Sequence, residues 1–292
     1  MSSTKARARE AASLLIRWSG IPALLRNTWA RKRVTILNYH DPSPTVFERH
    51  LEYLSRRYSF IALDALVDAM SNGSWEQLPP KSLVITIDDG MRGNAALLPS
   101  IRRYGVRPTI YVCSQIVGTS RRYWWSVAPD PEALKSVSND ERLAILDRQY
   151  DYEQTRGYGS RQALSSSEID RLKDWADFGA HTRFHPILPM CDDEVASAEI
   201  ALSKQDVERL TGRKCRHFAY PNGSYGDREV DLVRASGYDS ARTLDPGWND
   251  PRSDPHRLKM FGVPDDASLN RLAASLAGIA FLRPRAPRYG AP

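Results

Sequence analysis

Cysteine is scarce in this chain of 292 residues, and the three present, Cys113, Cys191 and Cys215, are odd in number, widely spaced and outside any paired motif. They do not read as a disulfide framework and point to a reducing compartment. Long apolar runs are lacking as well. Near the N-terminus the runs Ala11 to Ile16 and Ile21 to Leu25 are broken by Arg17, Ser19 and Gly20, which leaves no h-region of a signal peptide and no membrane span. The expectation is a cytoplasmic protein, peripheral at most at the inner face of a membrane. Nor does the body carry the positive charge that the total suggests: of the formal +6, residues 1–33 hold +7 and the tail after Leu282 +3, so the stretch between them is at −4. That excludes a basic groove for nucleic acid. There is no internal repeat.

What is present falls into three parts. Residues 1–33 form a basic amphipathic extension in which Leu14, Leu15, Ile16, Trp18, Leu24, Leu25 and Trp29 alternate with cations. Two readings fit it: a segment lying on an anionic membrane surface, or a helix packed on the domain with its charges solvated. Residues 34–280 form one domain, in which β-branched apolar runs alternate with helical patterns, the mark of repeated βα units around a parallel sheet. Strands are expected at Val34–Tyr39, Phe60–Leu63, Ser82–Ile87, Thr109–Val112, Asp177–Ala180, His217–Tyr220, Asp239–Thr243 and Leu258–Val263. Ser165 to Glu168 reads as a capping box before Ile169, Leu172 and Trp175, Asp192 or Asp193 as the cap of a helix through Leu210, and Thr211-Gly212 as its stop. Seven or eight such strands imply an α/β barrel with its chemistry at the C-terminal strand ends. Residues 118–159 interrupt the rhythm and read as an insertion over that face; Tyr123, Trp124 and Trp125 either stack on a sugar or anchor the loop. Residues 281–292, rich in Pro and Arg, read as a disordered basic tail.

Two strings carry the chemistry. Thr86-Ile87-Asp88-Asp89-Gly90 closes a buried strand with adjacent carboxylates, one of which can bind a metal while the other faces substrate, and Gly90 permits the tight backbone this requires. His181-Thr182-Arg183-Phe184-His185 offers two imidazoles four positions apart, within reach of one cation, and Pro186 confines them to a turn or loop. Three ligands plus one spare acid describe a metal-dependent hydrolase. His50, His217 and His256 lack comparable neighbours.

These strings resemble the first two motifs of the polysaccharide deacetylases, carbohydrate esterase family four, Thr-Phe-Asp-Asp-Gly and His-Ser/Thr-x-x-His. The resemblance extends from about Val34 to Val263 and implies a distorted (β/α) barrel of seven strands. It implies Asp88 as general base and Asp89, His181 and His185 as ligands of a divalent metal, zinc first, with cobalt or nickel as alternatives. The third motif is partial: Ala219-Tyr220-Pro221-Asn222-Gly223 has Ala219 where the base-orienting Arg stands, a form similar to the poly-N-acetylglucosamine deacetylase branch. In that form the backbone N–H of Asn222 is the oxyanion donor, Tyr220 and Pro221 join Trp124 and Trp125 facing the substrate, and Arg257 or Arg242 takes over the missing Arg's task. The late Leu-x-His of the family is absent, and His40, at the end of the first strand, stands as general acid by resemblance to the same branch.

The implied reaction removes an acyl group, usually acetyl, from an amino sugar in a polysaccharide, an oligosaccharide or a lipid-linked precursor. Two alternatives stay open: deacylation of a small or nucleotide-linked amide, and a non-catalytic carbohydrate-binding relative in exopolysaccharide assembly.

Overall fold

A computed structural model describes residues 3–278; the expected tail at 281–292 lies outside the described residues. Eight parallel strands are formed: β1 (Thr35–Tyr39), β2 (Ser59–Phe60), β3 (Ser82–Ile87), β4 (Thr109–Val112), β5 (Asp177–Ala180), β6 (His217–Ala219), β7 (Ser240–Pro246) and β8 (Leu258–Gly262). Seven of them close a ring in the order β1-β8-β7-β6-β5-β4-β3, with β3 returning to β1 from Thr35↔Leu83 through Tyr39↔Ile87. The fold is the expected seven-stranded (β/α) barrel.

β2 stands outside the ring because β3 has only one free edge. β4 takes the C-terminal end of that edge at Thr86 and Ile87, and β2 pairs at its other end with Ser82 and Leu83. The strand expected to run to Leu63 therefore stops at Phe60, and Leu63 opens the helix Leu63–Ser71. The strand expected to end at Thr243 runs on to Pro246. Between Arg242↔Leu258 and Pro246↔Met260 its register against β8 shifts, a bulge at the barrel rim. The capping box at Ser165 and Glu168 is formed, but its helix ends at Leu172, and Trp175 lies beyond it. Asp192 caps the helix Asp193–Thr211, and Gly212 ends it at φ 70°.

Side-chain parity sorts the core into two layers. Leu37, Tyr39, Leu83, Ile85, Ile87, Ile110 and Val112 face outward into the helices. Ile36, Val84, Tyr111, Ala219, Leu258 and Met260 fill the barrel's lower interior, closed from below by Leu63, Leu66, Val67 and Trp75. Above them the inward positions turn polar, with Asn38 and Thr86 buried at the next step along β1 and β3. Tyr111 fits inside only because β5 offers Gly179 opposite it: a Cβ there would lie 2.5 Å from the ring and 2.8 Å from the His217 carbonyl.

The insertion at 118–159 is ordered. Two 3₁₀ turns, Trp124–Ser126 and Glu132–Lys135, precede the helix Asn139–Tyr150. Trp124, Ala128, Leu146 and Tyr152 pack with Ile187 in a satellite core of their own. At the N-terminus, the helix Ser3–Trp18 docks on the helix Leu269–Leu276 through Glu10, which accepts from Ser268 and Asn270, and through Arg17, which donates to Asn270. Among the described residues no helix is long and apolar enough to cross a membrane.

Gly179→Ala is expected to lower the unfolding free energy by about 1–3 kcal/mol through overpacking against Tyr111, read as a fall in the urea midpoint without change in slope.

Candidate metal centre and active site

Asp88 and Asp89 leave the end of β3 in different directions. Asp88 continues the inward row of Val84 and Thr86, and its backbone N–H still bonds to the Tyr39 carbonyl at 2.9 Å. Its carboxylate, 3% exposed, meets Nη2 of Arg242 at 2.6 Å from each oxygen. Asn38 donates to the same carboxylate at 3.0 Å and accepts from Thr86 at 2.7 Å. Burial alone would raise this carboxyl; the positive charge of Arg242, the neighbouring His181 and His40 and the Asn38 bond outweigh it and hold it below the ordinary carboxylate value. Nε2 of His40 lies 3.9 Å from Asp88 Oδ2 on the solvent side. The His40 backbone is clamped by Asp265, which accepts its N–H, and by Asn94, which donates to its carbonyl.

Asp89 turns out of the strand with φ 70°. The next residue must be glycine, because a Cβ on Gly90, itself at φ 70°, would come within 2.7 Å of Val112. Asp89 Oδ1 is buried without a hydrogen-bond partner. It lies 3.6 Å from Nε2 of His181 and 3.6 Å from Nε2 of His185. The ligand atoms of these three residues all lie within 4.8 Å of one another.

His181 extends β5, and its Nδ1 meets the Ala219 carbonyl at 2.7 Å. A carbonyl accepts only, so the proton sits on Nδ1 and the Nε2 lone pair faces Asp89. His185 follows through a loop, as Pro186 requires, with Thr182 and His185 both at positive φ. Burial pushes the His181 imidazole below its ordinary pKa, and burial followed by the proximity of His181 pushes His185 well below. Both shifts favour the neutral ring, the ligand form. Burial, opposed by His181 and His40 and reinforced by Asp88, raises Asp89. Three lone pairs converge with no donor between them, and a divalent cation is the partner that such an N₂O set fits.

The loop that carries the histidines is held from two sides. Glu199, buried on the inner face of the helix Asp193–Thr211, accepts the N–H groups of Arg183 at 2.7 Å and Phe184 at 3.0 Å. From the insertion, the Trp124 indole donates to the His185 carbonyl at 2.9 Å, and the Trp125 ring packs 4.3 Å from the imidazole. Trp124 thus anchors the loop, whereas Trp125 stays partly exposed.

A cavity of about 230 Å³ opens over these groups, lined by His40, Asp88, Asp89, His181 and His185 together with Trp124, Trp125, Lys135, Tyr220 and Asn222. Asn222 holds φ 56° in the turn Pro221–Gly223. Its side chain accepts from Lys135 of the insertion at 2.8 Å. Pro221 is buried and does not line the cavity. Of the two arginines offered for Asp88, Arg242 makes the contact. Arg257, in a turn outside the barrel, pairs instead with Asp227 and approaches Asp254. His50, His217 and His256 bond to Tyr39, Asp64 and the Tyr238 carbonyl in structural settings.

Five residues at the site carry no motif in the sequence: Asn38, Asn94, Lys135, Glu199 and Asp265. Glu199 had a signal, an acid on the helix face that also holds buried Ala196, Ile200, Ser203, Asp206 and Val207.

Residues 76–241, more than half the chain, match the family model for polysaccharide deacetylases, and the chain belongs to that family. Membership makes it a hydrolase of the de-N-acetylase kind. Its fold is similar to that of the deacetylase PplD of Streptococcus pyogenes in complex with acetate, with 19% identity, TM-score 0.63, and 84% of this chain covering 98% of that one. A polysaccharide deacetylase from Bacillus cereus is similar at 19% identity and TM-score 0.61, over 84% of this chain and 69% of that one. IcaB from Ammonifex degensii is similar at 18% identity and TM-score 0.60, over 84% and 97%. No curated protein matches the sequence.

After removal of metal with a chelator and incubation with zinc, the wild-type chain is expected to retain one ion and His185→Ala none. Glu199→Gln is expected to lower affinity about 10–100-fold through loss of loop support, both by competition against a chelating dye.

Proposed function

We propose that this chain hydrolyses the acetamide of an N-acetylated amino sugar within a glycan, with Asp88 as general base, His40 as general acid and the Asn222 N–H as oxyanion donor. One observation carries the reading: the Asp89, His181 and His185 set stands beside a buried carboxylate that is already held ionised by Arg242. Asp89, His181 and His185 would hold a divalent ion. Zinc suits two imidazoles and one carboxylate best, and cobalt or nickel fits the same donors. Bound there, the ion supplies Lewis acidity and a water of lowered pKa.

The chain's own groups supply the rest. Arg242 keeps Asp88 deprotonated and, with Asn38, fixes the plane of its carboxylate, so that it is ready to accept a proton from the attacking water. His40, half-exposed at the rim and clamped by Asp265 and Asn94, can deliver a proton to the leaving amine. Asn222, αL in conformation and braced by Lys135, lines the cavity, which supports its backbone N–H as donor to the acyl oxygen as that oxygen acquires charge. A cavity of about 230 Å³ is smaller than those that enclose a drug-sized ligand (about 300–1,000 Å³). That supports entry of one sugar residue, the remainder of a glycan lying across the surface past Trp125. Cys113, Cys191 and Cys215, all buried and free, favour a reducing, cytoplasmic compartment, and hence a precursor or intracellular glycan as substrate.

Acetate release is to be measured on N-acetylglucosamine oligomers and on free, nucleotide-linked and lipid-linked N-acetyl amino sugars. Turnover of oligomeric or lipid-linked substrates is expected; release from nucleotide-linked or non-sugar amides alone would overturn the reading. Asp88→Asn should lower kcat about 10²–10⁴-fold at unchanged metal content. In Arg242→Gln the Asp88 carboxyl loses the charge that holds it down and its pKa rises, so the acid limb of the kcat/KM profile is expected to move to higher pH.

A further inference from the structure

Among the described residues nine large apolar side chains are exposed, and six of them, Leu14, Leu15, Trp18, Ile21, Leu24 and Trp29, fall within one short N-terminal stretch. Such crowding needs an explanation, because scattered exposed apolar residues do not. The helix Ser3–Trp18 meets the barrel along the edge formed by Glu10, Ser13 and Arg17, at spacings of three and four. Leu14, Leu15 and Trp18 occupy the neighbouring flank, 45%, 72% and 74% exposed. After the turn at Ser19 and Gly20, the helix Ile21–Asn27 continues with Ile21 and Leu24 on one side.

Cations accompany these side chains, although Arg17 and Arg33 also reach back to Asn270 and Asp250 of the domain. Lys5, Arg7, Arg31 and Lys32 are exposed. The Arg17 guanidinium lies 5.3 Å from the centre of the Trp18 ring, and that of Arg33 3.9 Å from the Trp29 ring. Each exposed tryptophan therefore pairs an apolar ring with a cation, an arrangement suited to the headgroup layer of a bilayer.

We propose that this face docks on an anionic lipid bilayer, with the leucines, isoleucine and tryptophans seated at the headgroup–acyl boundary and the cations on lipid phosphates. Charge complementarity selects this occupant. The segment carries +7, whereas the body behind it is at −4, so an anionic surface attracts this face and repels the rest of the domain. Exposure agrees, since these side chains project from two successive helices; a fluid surface accepts them, whereas a protein partner must offer a matching groove. The surface is separate from the catalytic cavity, and the proposal does not depend on the substrate.

The test is co-sedimentation of the full chain with vesicles of phosphatidylcholine alone and with about one-third phosphatidylglycerol, in low and high salt, alongside sedimentation velocity without lipid. Binding to the anionic vesicles only, weakened by salt, is expected. The double variant Leu15→Ser, Trp18→Ser should lower the bound fraction roughly tenfold, with its melting curve and acetate release unchanged, whereas Leu202→Ser, an exposed apolar residue elsewhere, should bind as wild type does. Equal binding by the double variant, or no binding to anionic vesicles in low salt, overturns the proposal. So does a concentration-dependent dimer that the double variant abolishes, which would assign the face to a second copy of the chain.

Discussion

The contact between Asp88 and Arg242 is the constraint around which the barrel interior is arranged. Both side chains are nearly or fully buried, at 3% and 0% exposure, and they meet at 2.6 Å. Either charge alone in that place would cost several kcal/mol. The surroundings follow from this. Thr86 orients Asn38, Asn38 donates to Asp88, and the guanidinium lies 5.4 Å from the centre of the Tyr111 ring. The bulge in β7 begins just past Arg242, where the Thr243 carbonyl accepts a second bond from the guanidinium. A packed apolar pair often stabilises a core as well as a buried ion pair does. The reason for this one therefore lies at the barrel mouth, where an ionised carboxylate is presented beside the candidate metal ligands.

Backbone strain is concentrated in the same place. Of the six non-glycine residues at positive φ among those described, Asp89, Thr182, His185 and Asn222 belong to the site or its supporting loop. Such conformations cost about 1–3 kcal/mol each and persist only where the surroundings enforce them. Here the enforcing contacts are visible: Tyr123 donates to the Asp89 carbonyl, Glu199 holds the histidine loop, and Lys135 holds Asn222. The insertion supplies two of these contacts, so it belongs to the machinery that shapes the site.

The fold was largely legible in the sequence because parallel strands buried on both faces must be continuous apolar runs. Seven of the eight strands lie where composition places them, within a residue or two except at the extended end of β7. The short β2 could not be read, since its length is set by which part of the β3 edge β4 leaves free. The converging ligands were legible because they sit at fixed local spacings. The partner of Asp88 was half legible: Arg242 interrupts a buried strand whereas Arg257 follows a proline in a turn, and burial separates the two. Lys135 could not be found, because its contact with Asn222 joins residues 87 apart across a segment without periodicity. The basic N-terminal stretch had two sequence readings, docked helix or membrane surface; the Glu10 edge accounts for the first and leaves the apolar flank uncovered.

Tyr111, wedged against Gly179, has a consequence for traffic. With Ile36, Val84, Leu258 and Met260 it plugs the barrel from below, so among the described residues the cavity has a closed floor. Exchange with solvent is left to the open side, where His40, Trp125 and Lys135 line the cavity. With Asp88 as the proposed base, a proton it gains would leave by that open side. The phenol at the base of the cavity thus confines traffic to the groups at its rim.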